Sequence, residues 1–203
     1  MATASLLCNR RMNSRVKTVL QKMSDYEAGF KAEFAVKTET GLFLYQLVKE
    51  RRFGDILELG TWRGASAIYL AAALQEMKSG QLTTVNLPHE QGNLDLAKNN
   101  FVAAGLEGII NLVEDQAANF LKLAGQKKLK YDLIFIDADK AKSYDYVVSS
   151  LKVLTSKGII IIDDIISLKS KFPTGLEQKL GQMTKLKVSK IELGNGLLAV
   201  AKK

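Results

Sequence analysis

A chain of 203 residues is long enough for one α/β domain with a full core, and 47% hydrophobic with 25% charged residues is the balance of a globular protein. No apolar run reaches the length of a membrane span, and a single cysteine, Cys8, excludes an intrachain disulfide and fits a reducing, cytoplasmic setting. The formal charge of +8 permits an anionic partner, but most of the excess is lysine scattered over the second half, which reads first as solvated surface.

Residues 1–12 read as frayed. Residues 1–24 hold basic side chains and no acid, as transit peptides do, yet Arg15 to Met23 also reads as an ordinary helix capped by Ser14. Tyr26, Phe30 and Phe34 form an apolar stripe. Thr38 or Thr40 caps a helix from Gly41 to Glu50. Strands are expected at Asp55–Leu59, Leu82–Val85, Ile109–Val113, Tyr131–Ile136 and from Gly158 to Ile162. Helices fill the gaps: Ala65–Met77, Glu90–Ala104 closed by Gly105, Gln116–Leu123 and Tyr144–Leu154. After Phe172-Pro173-Thr174-Gly175 come a helix at Leu176–Met183 and a hairpin of Leu186–Leu193 with Gly196–Ala201. Alternating strands and helices predict a mainly parallel α/β sheet with helices on both faces, and the hairpin makes seven strands with an antiparallel end. No repeat and no linker interrupts this single domain.

Three strands end in acid. Asp55–Leu59 delivers Glu58, Tyr131–Ile136 runs into Asp137, Asp139 and Lys140, and Ile159–Ile162 runs into Asp163 and Asp164. Ligands of open α/β sheets bind beyond the carboxyl ends of the strands, so these acids mark a candidate site. The same side chains also suit surface salt bridges and helix caps. After Glu58, the turn Gly60-Thr-Trp-Arg-Gly64 opens a helix. Gly60 permits a sharp turn, Gly64 a close ligand approach, and the helix start with Ser66 offers donors to an anion. The G-x-x-x-G spacing is neither a dinucleotide fingerprint nor a P-loop, and Glu58 would repel a pyrophosphate. Trp62 either covers a ligand or packs on the helix. Tyr144 reads as a packing ring, and His89, Cys8 and the Lys127–Lys130 run carry no assigned chemistry.

E-L-G-T-x-x-G-x-S, F-I-D-A-D-K-x-x-x-Y, I-I-I-D-D and the closing G-N-G-L together resemble the class I methyltransferases that use S-adenosylmethionine. Within them the chain resembles the cation-dependent O-methyltransferases of the catechol and caffeoyl-CoA type, over about residues 36–203. The resemblance implies a Rossmann-like methyltransferase fold, with 1–35 as a helical extension and 36–203 as the S-adenosyl-L-methionine-binding core. It implies that Glu58, Gly60, Gly64 and Ser66 hold the methionine part of the cofactor. Asp115, Gln116 and Ala117 would border the adenine, and Asp139 the sulfonium end. Asp137, Asp163 and Asp164 would ligate a divalent cation, Mg²⁺, Mn²⁺ or Ca²⁺. Lys140 would take the proton of a hydroxylated aromatic acceptor.

Two departures stand out. Asn86 occupies the place where relatives carry a ribose-binding acid, and Glu90 compensates if the turn through Pro88 is shifted. Asp164 replaces the usual Asn, and the tryptophan that often follows it is missing. Homodimerisation, a hydroxylated uridine of tRNA as acceptor, and a binder without turnover are the remaining expectations; a membrane role is not.

Overall fold

The computed structural model describes residues 12–30 and 36–203. Cys8, Phe34 and the residues 1–11 expected to fray lie outside them.

Helix α1 (Ser14–Phe30) runs further than Arg15–Met23, and its first turn is closed by Asn13, whose Oδ1 accepts from the Arg15 amide at 2.9 Å, not by Ser14. It is no loose extension: Met12, Val16 and Val19 are buried in the main core. Helix α2 (Thr38–Arg51) already includes both proposed threonine caps and has no side-chain cap; Lys37 precedes it in extended backbone.

Strand β1 (Asp55–Leu59), helix α3 (Ala65–Met77), strand β2 (Gln81–Asn86), helix α4 (Gln91–Ala104) and strand β3 (Ile110–Glu114) follow in alternation. Helix α5 (Ala117–Gln126), strand β4 (Tyr131–Ile136), helix α6 (Ser143–Val153) and strand β5 (Leu154–Ile162) continue it. Short helix α7 (Leu176–Gly181) precedes the hairpin of β6 (Leu186–Ile191) and β7 (Leu197–Lys202). The sheet order is β3-β2-β1-β4-β5-β7-β6, parallel from β3 to β5 and antiparallel beyond. The chain reverses its direction of travel across the sheet between β1 and β4, where open α/β sheets form their ligand crevice.

Two-residue alternation assigns the strand side chains to two layers. Ile56, Leu82, Leu133, Phe135 and Ile161 pack with α1 to α4, whereas Leu57, Leu59, Ile134, Ile136 and Ile160 pack with α5 to α7. Glu58 shares the parity of Ile56, and Asp137 that of Phe135, so both acids leave their strands toward the same layer.

Strand β5 corrects one expectation. Lys157-Gly158 does not turn into the strand but lies within it. Tyr131 pairs with Leu154, yet Leu133 pairs with Ile159, so β5 bulges there. Gly158 fits the bulge because a Cβ would press on Leu154, Thr155 and the Asp132 carbonyl.

Candidate functional site

The turn after β1 has left-handed backbone at Gly60 (φ 100°), Trp62 (φ 49°) and Gly64 (φ 88°). At Gly60 a Cβ would overlap the Asp137 carbonyl oxygen, so glycine is what lets the β1 and β4 tips close together. At Gly64 a Cβ would strike the Phe101 ring, so its bareness serves α3–α4 packing. Helix α4 grips the turn again through Asn100, whose Nδ2 donates to the Arg63 carbonyl at 3.0 Å, and Asn93, which accepts from Arg63 Nε at 3.1 Å. Trp62 is half-buried, with the Arg63 guanidinium 5.4 Å from its ring centre.

Glu58 is fully buried beneath this turn. Thr84 Oγ1 donates to its Oε2 at 2.5 Å, and Thr84 lies 2.6 Å from Thr61 Oγ1. With its proton given to Glu58, Thr84 must accept from Thr61. Burial pushes the Glu58 pKa up to about 8, helped by the Asp137 charge and opposed by the Ser66 and Thr84 hydroxyls. Ser66, buried in the first turn of α3, is near enough to favour the ionised form but closes no hydrogen bond on Oε1, which has no partner among the described residues. A buried acceptor without a donor is costly and marks a place for a cationic or donor group, reached directly or through a bridging water.

Asn86 is buried at the β2 tip, but its oxygen is spent on the turn. Oδ1 accepts from the Thr61 amide at 3.1 Å and the Trp62 amide at 3.2 Å. Its Nδ2 donates to Glu90 Oε2 at 2.9 Å. At the β3 tip, the Asp115 amide donates to the Asn86 carbonyl at 2.9 Å. Asp115 Oδ1 accepts from the Gln116 amide at 2.7 Å, so Asp115 folds the entry into α5, with Gln116 exposed and Ala117 buried.

The β4 and β5 tips form the second half. Lys140 is ion-paired with Asp137 and, at 2.8 Å, with Asp164. Asp164, at φ 68°, also accepts from Asn195 Nδ2 at 2.9 Å and Ser167 Oγ at 3.3 Å. Asp163 is buried and accepts from the Asp164 amide at 2.8 Å. Burial, with the Asp137 and Asp164 charges, pushes the Asp163 pKa up to about 7. Burial also raises Asp137, against the pull of Lys140. Burial lowers Lys140, but its two carboxylate partners more than offset this and its net shift is upward. Lys140 is therefore an ammonium here, and becomes a base only when something else neutralises Asp137 and Asp164.

Among the described residues no group of three or more His, Cys, Asp or Glu side chains is arranged to hold a metal ion. Lys140 stands between two of the three expected ligands. The donor chemistry nonetheless suits a hard cation, and the ammonium marks where positive charge is favoured.

The structure thus joins Glu58, Gly60 and Ser66 on one side, and Asp137, Lys140, Asp163 and Asp164 on the other. Asp139 does not join them: it is exposed, caps the turn Lys140–Lys142 by accepting from the Ala141 amide at 3.1 Å, and pairs with Lys142 at 3.4 Å. Sequence reasoning missed Thr84, Ser167, Asn195 and Phe172, whose ring centre lies 6.0 Å from Lys140 Nζ. Only Asn195 had a signal, the polar residue between the hairpin glycines.

Sheet order, turn and acid-tipped strands define a Rossmann-like methyltransferase fold. The chain belongs to the O-methyltransferase family, whose family model matches residues 12–203. It is 33% identical over 141 residues to a catechol O-methyltransferase of Niastella koreensis, covering 69% of this chain and 62% of that one. It is 31% identical over 134 residues to tapetum-specific methyltransferase 1 of Arabidopsis thaliana, covering 66% and 56%. These matches span a little under two thirds of the relatives' length. Among solved structures it is similar to an SAH-bound methyltransferase of Podospora anserina (TM-score 0.78, 19% identity, 100% and 94% covered). It is also similar to an SAH-complexed O-methyltransferase of Bacillus cereus (TM-score 0.75, 24% identity, 94% and 91% covered).

Proposed function

We propose that the chain is an S-adenosylmethionine-dependent O-methyltransferase acting on a small catechol-like hydroxylated aromatic. The observation that carries this is the unpartnered Glu58 oxygen beneath a glycine turn, beside a carboxylate cluster already holding one positive charge. The relatives' names and the bound SAH of the structural neighbours support it.

The bound cofactor supplies a methyl group on a sulfonium. Glu58 would hold a cationic group of the cofactor, and Ser66 with the α3 amides would hold an anionic one. Asp137, Asp163 and Asp164 would hold a divalent cation, with Lys140 yielding two of them; such a cation would acidify an acceptor hydroxyl. Freed from both carboxylates and having released its own proton to solvent, Lys140 would accept the hydroxyl proton; still paired, it stabilises the oxyanion by charge. Phe172 borders Lys140, with its ring centre 6.0 Å from Nζ, and offers an apolar face beside the ammonium. The whole chain would act as one domain.

Methyl transfer from labelled S-adenosylmethionine to catechol and to bulk tRNA, with Mg²⁺ and with chelator, tests the reading. Methylation of catechol that chelator abolishes is expected. Transfer to tRNA alone would replace the acceptor class, chelator-indifferent turnover would remove the cation, and cofactor binding without transfer to any catechol would leave a binder.

A further inference from the structure

Rossmann-like folds recognise a ribose with an acid near the end of the second strand. In this chain that strand ends in Asn86, and the amide is not free for the task. Its oxygen holds the Thr61 and Trp62 amides, and its nitrogen donates to Glu90 Oε2. An amide nitrogen cannot accept, so a ribose diol meeting Asn86 would find no acceptor.

We infer that Glu90 is the ribose-binding acid of this chain and that Asn86 is its positioning residue. This rests on the proposed use of S-adenosylmethionine. The acid has moved from the strand tip into the turn Pro88–Glu90, four residues on. The turn holds it locally through its own amide, which donates to the Leu87 carbonyl at 3.2 Å. Asn86 fixes the carboxylate from below through Oε2. Glu90 is only half-buried, so its remaining acceptor capacity is open to a vicinal diol. One side chain thereby ties two parts of the cofactor site together: the turn over Glu58 and the carboxylate at the β2 tip. Relative to an acid at position 86, the arrangement pins the turn with a neutral amide and keeps a second carboxylate charge away from buried Glu58.

The test is calorimetric titration of the full chain with S-adenosylhomocysteine and with its 2′-deoxy counterpart. Glu90→Gln keeps the shape and can still accept from Asn86. It is expected to weaken S-adenosylhomocysteine about tenfold, equivalent to about 1.4 kcal/mol, with an unchanged melting temperature. The 2′-deoxy ligand should lose much less, so the preference for the ribo form collapses. Asn86→Ala should collapse the same preference, which a merely structural loss would not do. Tight S-adenosylhomocysteine binding with the ribo preference intact in Glu90→Gln overturns the inference alone. Retained preference in Asn86→Ala overturns the role of Asn86. No binding to the wild type overturns the cofactor reading, and this inference with it.

Discussion

Both halves of the site gather buried acid at strand tips, and they satisfy it in opposite ways. At the β4 and β5 tips the carboxylates are spoken for: Lys140 bridges Asp137 and Asp164, Asn195 and Ser167 hold the other Asp164 oxygen, and a backbone amide serves Asp163. At the β1 tip Glu58 has one oxygen donated to by Thr84 and one with no partner. The first half is closed on itself and must give up contacts before it can take a cation or an acceptor. The second leaves one carboxyl oxygen unmatched and takes a cationic group by giving up its proton. Unpartnered buried oxygen favours binding without rearrangement, whereas a paired cluster makes chemistry conditional on something that unpairs it.

The sharpest way to break this contrast is to remove the hub of the closed half. Asp137→Ala should cut turnover by about 10³-fold or more while S-adenosylhomocysteine affinity stays within about threefold, read by single-turnover methyl transfer and by calorimetry. Lys140→Ala should cost about 10²- to 10³-fold in the same assay, again sparing cofactor binding. Unchanged turnover in either variant removes its proposed role.

Gly60→Ala tests the joint between the halves, since its Cβ would press on the Asp137 carbonyl at a left-handed φ. A loss of about 2–4 kcal/mol in denaturant unfolding is expected. Gly64→Ala should also destabilise, through Phe101, without a separate effect on cofactor affinity.

A smaller effect sharpens the open half. The folded Glu58 pKa of about 8 lies above its ordinary 4.5, so the folded state holds a proton that the unfolded state has released. Stability should therefore fall as pH rises from about 5 to 8.5. Asp163, pushed up to about 7, acts in the same sense. Glu58→Gln should flatten the slope without abolishing it; a slope identical to wild type would mean that Glu58 is not the buried acid responsible.

Much of this was legible in the chain. Alternation of apolar runs and turn residues fixes the seven strands within a residue or two at most ends, because parallel-sheet strands buried on both sides are apolar throughout. β5 was misread at its start because Thr155, Ser156 and Lys157 break the apolar run, yet the backbone pairs through a bulge there. Glu58, Asp137 and Asp163 were legible because charge at the end of an apolar strand is rare without a reason. Their partners were not: Thr84, Ser167 and Phe172 are brought in by packing, which a linear pattern does not record. Gly64 and Phe101 teach the same lesson, since a glycine in a turn does not say which neighbour needs the space. Asn86 was visible as a departure, but only its hydrogen bonds reveal that the amide holds the turn and Glu90 together.

Burial keeps Glu58 protonated near pH 7, so a cofactor ammonium can pair with it only as that proton leaves. Calorimetric titration of the wild type with S-adenosylhomocysteine, at pH 7 in two buffers of different ionisation enthalpy, reads this directly. One-to-one binding that releases most of a proton, and tightens between pH 6 and 8, is predicted. No binding, or binding with no proton exchanged and an affinity flat over that range, would contradict it.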